Sequence, residues 1–194
     1  MCGPGDEWAK TTQPEVQNQA TVQQEIQSLL NEAPAIYQGY FKDLGSVDVM
    51  EYLENQLVKV KDFIQSLSAE KAVFAYAPGK WTIKEVLGHI LDTERIFAYR
   101  AMRVARNDQT PLPGYDENEY IKSTNFNLRS LKSLSDEWEG LRKSNIALFR
   151  GLSHEELSRK GSANGFPFSA YSLVYVVAGH ANHHLGVMKE RYFE

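Results

Sequence analysis

Apolar residues recur every three or four positions along four long stretches of the chain, which is the spacing of one buried face on an α-helix. The pattern predicts long helices over about 46–67, 82–106, 128–152 and 169–192. A shorter amphipathic stretch over 21–31 predicts one more helix ahead of them. Four long helices with connected apolar stripes predict an all-α fold, an antiparallel four-helix bundle with an extra short N-terminal helix.

The segments between these helices are polar, aromatic or rich in Gly and Pro. Thr82 and Glu85 form a predicted capping box at the start of the second long helix. Residues 33–45 are expected to be irregular, with aromatic side chains lying against the bundle. Residues 107–125 form a long connection that is either a functional loop or a strap over one end of the bundle. Residues 159–169 are expected to form a Gly/Pro loop, and no pair of strands is predicted.

Composition narrows the classes of protein that this chain can represent. Its 194 residues suffice for one domain with a sizeable core. A formal net charge of −4 without a Lys/Arg cluster argues against nucleic-acid binding. No apolar run approaches the roughly 20 residues that span a bilayer, so no membrane span is predicted.

The N-terminal residues differ from the rest of the chain. Residues 1–18 lack apolar periodicity and are predicted to be a disordered or loosely docked tail, while residues 19–194 form a single helical bundle domain. Cys2 is the only cysteine, which excludes an intramolecular disulfide and argues against a cysteine-based metal site. A cytoplasmic location is expected; the alternative is an exported lipoprotein anchored through Cys2.

Four of the five histidines lie in the second and fourth long helices. His180 and His184 are one turn apart on the same face, so both imidazoles can reach one ion. His89 can supply the third ligand that such a site needs, and Glu94, within the apolar arc of the same helix, is a rival ligand or a buried group that orients one. His183 diverges from His184 by about 100° and is predicted to flank the site. An i, i+3 pair can also chelate, so His180 with His183 is the alternative pair of ligands. The same spacing also suits hydrogen-bonded core histidines or a heme pocket.

Two helical segments, WTIKEVLGHILDTER and GHANHHLG, resemble the signature helices of the DinB/YfiT-like superfamily, and the intervening TPLPGYDENEY is also similar to its members. The resemblance covers about residues 45–192. It implies a four-helix bundle, often dimeric, that holds a divalent metal such as zinc or nickel with three histidines. The ligand positions fall on His89, His180 and His184 in this chain.

The resemblance also implies two kinds of activity. Some members are described as thiol S-transferases that use bacillithiol, mycothiol or similar small thiols, and others as metal-dependent hydrolases. The preferred hypothesis is an enzyme that transfers a bacillithiol-like thiol to an electrophilic substrate. The first alternative is a metal-dependent hydrolase, and the second is a non-catalytic bundle whose metal only joins two helices. The expected partners are therefore a small-molecule thiol, an electrophilic substrate and a second copy in a homodimer. Asp92, Glu94 and His183 are the candidate catalytic groups, and Tyr115 and Tyr120 are candidates for substrate binding.

Overall fold

The computed structural model of the chain describes residues 19–45 and 47–193. Predictions for the tail over 1–18, and for Cys2, fall outside the described residues. Within the described ranges, no helix is both long enough and apolar enough to cross a membrane.

The described chain is mostly helical, and the four predicted long helices are present with ends within three residues of the predicted ones. The helices are α1 (Gln19–Asn31), α2 (Gln38–Leu44), α3 (Val49–Ser66), α4 (Ala69–Ala72), α5 (Ile83–Ala105), α6 (Glu117–Lys122), α7 (Leu131–Arg150), α8 (His154–Ser158) and α9 (Ala170–Tyr192). Short 3-10 helices cover Ala35–Tyr37 and Phe126–Leu128, and two strands, β1 (Lys160–Ala163) and β2 (Phe166–Ser169), precede α9. The capping box of Thr82 and Glu85 at the start of α5 is confirmed.

The predicted four-helix bundle is confirmed, and it consists of α3, α5, α7 and α9. Both α3 and α5 pack against α7 and against α9. The α5–α9 pair is antiparallel, because Tyr192 at the end of α9 donates a hydrogen bond to the Trp81 carbonyl just before α5. The α3–α7 pair is antiparallel as well, since Trp138 donates to the Leu57 carbonyl and Arg142, one turn later, donates to the Leu53 carbonyl.

The neighbouring helices α5 and α7 instead run parallel. Asn127, just before α7, donates to Glu85 in the first turn of α5, and Arg142 in the middle of α7 donates to Glu94 in the middle of α5. Parallel neighbours cannot be joined by a tight turn, because the chain must return along the length of the bundle. This return explains the long connection of residues 106–130, which carries α6 and is called the crossover below.

A short β-hairpin stands where the sequence predicts a Gly/Pro loop, so that prediction is wrong. β1 and β2 pair antiparallel around the two-residue turn Asn164–Gly165. The turn has φ values of 52° and 77°, and positive φ at both positions is what a type I′ turn requires. Leu112 of the crossover forms a bridge with Ala163 of β1, so the hairpin ties the crossover to the start of α9.

The aromatic segment before α3 is helical rather than irregular, which is a second correction. Its helix, α2, is short and rich in aromatic residues, and it therefore lacks the apolar stripe that identifies longer helices. As expected, the segment lies against the bundle: Phe41 is buried, and α2 packs on α9. A Cβ added at Gly179 would lie 2.4 Å from Tyr40 Cβ, so glycine permits this close approach. The contact places the Tyr40 ring 6.0 Å from that of His180.

Buried polar side chains form a layer across the middle of the bundle, between two apolar clusters. Asn145, a polar interruption in the stripe of α7, donates to Glu94 at 3.1 Å within this layer. No buried side-chain nitrogen or oxygen among the described residues lacks a hydrogen-bond partner, which is the normal condition for a stable polar interior. The members of this polar layer are Gln56, His89, Thr93, Glu94, Arg142, Asn145 and His180.

Candidate metal centre

Three imidazoles from α5 and α9 converge at the edge of the polar layer, where His184 joins His89 and His180. His89, His180 and His184 each offer one ring nitrogen, and these nitrogens all lie within 4.8 Å of one another. The Nε2 atoms of His89 and His180 are 2.9 Å apart. The antiparallel packing of α5 on α9 brings the rings together, because His180 and His184 lie one helical turn apart on the face toward α5.

Burial keeps the three imidazoles neutral, since a charged ring is disfavoured away from water. It lowers the pKa of His89 to about 4 and the pKa of His184 to about 3. The pKa of His180 lies well below its usual range because of burial and, secondly, because a charge there would be repelled by the neighbouring histidines. At pH 7 all three rings therefore keep a nitrogen lone pair available to a metal ion.

A divalent cation fits this set of donors. Histidine nitrogens bind zinc at about 2.0–2.1 Å, which places them about 3.3 Å apart in a tetrahedral site. Here one pair is 2.9 Å apart and all three nitrogens lie within 4.8 Å of one another, so small side-chain movements would bring them to that spacing. Thr93 Oγ1 lies 3.4 Å from His89 Nδ1. This hydroxyl can accept a hydrogen bond from the tautomer that carries its proton on Nδ1, and in that tautomer Nε2 is free to bind metal.

The three histidines open onto a cavity of about 380 Å³, called the metal cavity below. Five segments of the chain form its wall. They are α2 with the short 3-10 helix before it, α5 with Trp81 just before it, the crossover, the hairpin turn and α9. Polar or charged groups are contributed by Arg100, Glu117 and Asn164. The cavity is large enough to hold a small molecule beside the imidazoles. Its aromatic residues are Tyr37, Tyr40, Trp81, Phe97 and Tyr115.

Two further residues predicted from the sequence also lie on the metal cavity, His183 and Tyr115. His183 is exposed and lies outside the group of three nitrogens, with its ring 5.1 Å from that of His184. The Tyr115 hydroxyl lies 2.8 Å from Thr93 Oγ1, so it extends the hydrogen-bond chain that begins at His89. Tyr120 lines an adjacent pocket of about 270 Å³ instead, with its ring 5.3 Å from that of Tyr115.

The two candidate catalytic carboxylates on α5, Asp92 and Glu94, do not lie on the metal cavity. Glu94 accepts hydrogen bonds of 2.8 and 2.7 Å from Arg142, and its carboxylate belongs to the interior of the bundle. Asp92 lies beside Arg95, within 3.9 Å, on the side of α5 that meets Glu137 of α7. Neither carboxylate reaches the wall of the metal cavity, which leaves His183 as the sequence-based candidate for a base that does.

Arg100 and Glu117 line the metal cavity as well, and neither is among the residues predicted from the sequence. Arg100 continues the helical steps from His89 through Thr93 and Phe97, and this spacing is a signal that could have identified it. Glu117 has no such signal, because its position depends on the path that the crossover takes.

Comparisons with known proteins identify relatives of this chain. The sequence model of the DinB superfamily matches residues 52–188. Two proteins of Oceanobacillus iheyensis, each named as a proposed metal-dependent hydrolase, are similar to it. One is 28% identical over 151 residues, which cover 73% of this chain and 84% of that protein. The other is 30% identical over 129 residues, which cover 65% of this chain and 73% of that protein.

Two solved structures share the fold. YfiT from Bacillus subtilis, described as a probable metal-dependent hydrolase with an unusual four-helix bundle topology, matches with a TM-score of 0.66 and 19% identity over 73% of this chain and 82% of that chain. A mycothiol-dependent maleylpyruvate isomerase matches with a TM-score of 0.59 and 12% identity over 71% of this chain and 58% of that chain. At these identities the likeness concerns the fold alone, and the chain spans little more than half of the isomerase.

Proposed function

The chain belongs to the DinB superfamily, and we propose that it transfers a low-molecular-weight, bacillithiol-like thiol to an electrophilic substrate at a divalent metal held by His89, His180 and His184. The observation that carries this proposal is the position of three neutral imidazoles on the wall of a cavity. No fourth ligand joins the cluster among the described residues. Three protein ligands leave a coordination position open, whereas structural zinc sites are closed by a fourth, and this favours a reaction centre over a metal that only joins two helices.

A bound divalent cation lowers the pKa of a thiol or of a water molecule and so supplies a nucleophile at neutral pH. The residues of the chain keep the imidazoles neutral and present an aromatic wall to the substrate. In the transfer, sulfur forms a bond to the electrophilic carbon, the leaving group departs with the electrons of the broken bond, and the thiol proton passes to a base. Glu117 and His183, which both line the metal cavity, are the candidates for that base.

Hydrolysis is the second candidate function. The two Oceanobacillus iheyensis relatives are named as proposed metal-dependent hydrolases, and YfiT is described as a probable one. The same ligands and cavity suit ester or amide hydrolysis, with water in the place of the thiol. The fold of a mycothiol-dependent isomerase is an example of this architecture in a thiol-dependent protein, and we keep the thiol as the first choice by that analogy.

Thiol binding to cobalt-substituted protein tests this choice. We expect a sulfur-to-metal charge-transfer band when glutathione or cysteine is added, and loss of the band in His184→Ala. His154→Ala is a matched control, because His154 bonds Glu25 at the surface, away from the metal cavity. A spectrum that does not respond to any thiol tried, together with measurable ester or amide hydrolysis, would favour the hydrolase.

Zinc and nickel are the ions that we propose, since imidazole ligands suit both. Elemental analysis of the purified protein identifies the ion. The homodimer and the cytoplasmic location, with anchoring through Cys2 as its alternative, stay predictions.

A further inference from the structure

Arg100 brings a positive charge into the wall of the metal cavity, three turns after His89 on α5. Only 3% of the residue is exposed. Its Nη2 donates a 2.7 Å hydrogen bond to the Pro113 carbonyl, and its guanidinium lies 5.0 Å from the ring centre of Phe97 and 5.8 Å from that of Tyr115. These contacts fix the side chain without supplying a negative charge.

No carboxylate of the described residues forms a salt bridge with Arg100. Arg142, the other arginine buried in the bundle, differs because it is paired with Glu94. Among the described residues, the Nε and Nη1 atoms of Arg100 make no hydrogen bond. Every fully buried side-chain nitrogen of the described residues does have a hydrogen-bond partner. These two nitrogens therefore keep some accessible surface, and Arg100 lines both the metal cavity and the adjacent pocket that carries Tyr120.

Burying a guanidinium away from water costs free energy unless a negative group compensates it. Burial lowers the pKa of Arg100, but an arginine remains protonated at neutral pH. We propose that Arg100 binds the carboxylate of a substrate whose apolar body lies against the aromatic wall of the metal cavity. This assignment rests on the proposed function, because it treats the cavity as the place where a substrate of the metal centre binds.

The charges on the cavity wall favour a carboxylate over a phosphate. Arg100 is the only lysine or arginine on that wall in the described chain, and Glu117 adds a negative charge to it. One cation matches one carboxylate, whereas a dianionic phosphate usually meets several cationic groups or a helix N-terminus. The five aromatic residues of the wall suit the apolar remainder of such a molecule.

Arg100 and His89 lie at different positions along α5. Arg100 lies eleven positions after His89 along α5, which corresponds to about 16 Å along the helix axis. Long side chains on a helix lean back toward its N-terminus, so the guanidinium lies closer to the imidazoles than this distance. A molecule that contacts both Arg100 and the imidazoles has to bridge the remaining separation, and its carboxylate belongs either to the thiol or to the electrophile.

Calorimetric titration of the zinc-loaded protein with phenylbutyrate and with its neutral amide, phenylbutyramide, tests the proposal. The two probes share an aromatic body and differ in charge. We expect wild-type protein to bind the carboxylate at least about tenfold more tightly than the amide, as for a charge-assisted hydrogen bond. Arg100→Gln should remove the preference. Arg106→Gln, which removes an exposed arginine paired with Glu156, should keep it.

Three outcomes would overturn the proposal: equal affinity of the wild-type protein for both probes, a preference that survives in Arg100→Gln, or a carboxylate that changes the absorption of cobalt-loaded protein by binding the metal. If Arg100→Gln does not fold, Arg100→Lys replaces it, since lysine keeps the charge but loses the planar fork of donors. A preference in Arg100→Lys reduced severalfold supports the proposal, and an unchanged one contradicts it.

The same probes separate this proposal from the proposed S-transfer. If the thiol band is absent but the carboxylate is still preferred, S-transfer is contradicted and the Arg100 site is supported. If the thiol band appears but the carboxylate is not preferred, S-transfer is supported and the Arg100 site is contradicted. Competition then identifies the source of the carboxylate. Displacement of glutathione by phenylbutyrate assigns it to the thiol, and simultaneous binding of both assigns it to the electrophile.

Discussion

Arg142 donates two hydrogen bonds to the carboxylate of Glu94, at 2.8 and 2.7 Å, in an ion pair with almost no exposure to solvent. The Arg142 Nη1 atom also donates to Gln56 at 2.7 Å, and Gln56 donates to the Ala178 carbonyl at 2.9 Å. A continuous chain of hydrogen bonds therefore runs from α5 through α7 and α3 to α9. It ties together the two helices that carry the three histidines.

Removing one partner of this ion pair should destabilise the fold strongly. Glu94→Ala leaves Arg142 buried without a counter-charge, and we expect the free energy of unfolding in urea to fall by about 3–5 kcal/mol. Asp136→Ala is the control, because it breaks an exposed pair with Lys132 and should cost at most about 1 kcal/mol. A comparable, small loss in both variants would mean that the ion pair does not hold the bundle together.

His89→Ala should deplete the bound metal. Two imidazoles from one helix remain in this variant, and they hold a divalent ion less well than three. Elemental analysis of protein purified without a polyhistidine tag measures the occupancy, with His154→Ala as the control for loss of a surface histidine. Unchanged occupancy in His89→Ala would exclude His89 from the ligand set.

His183→Ala and His184→Ala should behave differently although the residues are adjacent. His184 belongs to the group of three converging nitrogens, and His183 lies outside it on the exposed rim. We expect His184→Ala to lose metal, and His183→Ala to keep metal and at most to slow turnover. The reverse pattern, measured by the same elemental analysis, would mean that α9 is rotated about its axis relative to this structure.

Chelation should leave the protein folded. The apolar stripes of the bundle are complete without a metal, and neither α3 nor α7 contributes to the three-histidine cluster. Removing a ligand that binds only the folded state lowers the melting temperature, so we expect a lower melting temperature with the helical circular dichroism retained. Loss of most of the helical signal at room temperature would indicate that the metal is needed for folding, as in a zinc finger.

The metal-free protein should lose stability as the pH falls below about 6.5. The pKa of His89 is about 4 in the folded protein and about 6.5 in an unfolded chain. Between these values the unfolded chain binds a proton that the folded protein does not, so unfolding becomes easier as the pH falls, by up to about 1.4 kcal/mol per pH unit for each such histidine. Urea midpoints at pH 7 and pH 5 in the presence of a chelator measure the effect. His89→Phe should show a smaller dependence, and an equal one would contradict the assignment to His89.

The helical bundle and the converging histidines could both be predicted from the sequence, and for the same physical reason. In a helix, burial follows a period near 3.6 residues, so stripes such as the one through Leu173, Val177 and Val187 reveal both the helix and its inner face. His180 and His184 stand on that stripe, where an apolar residue is expected. Their position on the inner face follows from the helix alone, without knowledge of its neighbours.

Other features depend on how separate segments meet in space. The parallel arrangement of α5 and α7, and the path of the crossover past the metal cavity, leave no local pattern, so Glu117 could not be placed. The buried partner of Glu94 lies 48 residues away on α7, and no spacing within α5 identifies it. The hairpin is different, because the Asn164–Gly165 pair is a local signal for a type I′ turn that the Gly/Pro-rich surroundings obscured.

The residues that would bind the ion lie on packed helices, whereas several that would contact a substrate lie on connecting segments. The amino-acid sequence of these two parts of the fold is not equally free to change. The three imidazoles stand on α5 and α9, where exchange of neighbouring residues disturbs the packed core, while Tyr115 and Glu117 stand on the crossover and Asn164 on a hairpin turn. Connecting segments accept substitution and insertion more readily than packed helices. Descendants of one ancestral bundle can therefore come to accept different molecules by changing the crossover, and they need not rebuild the three-histidine cluster.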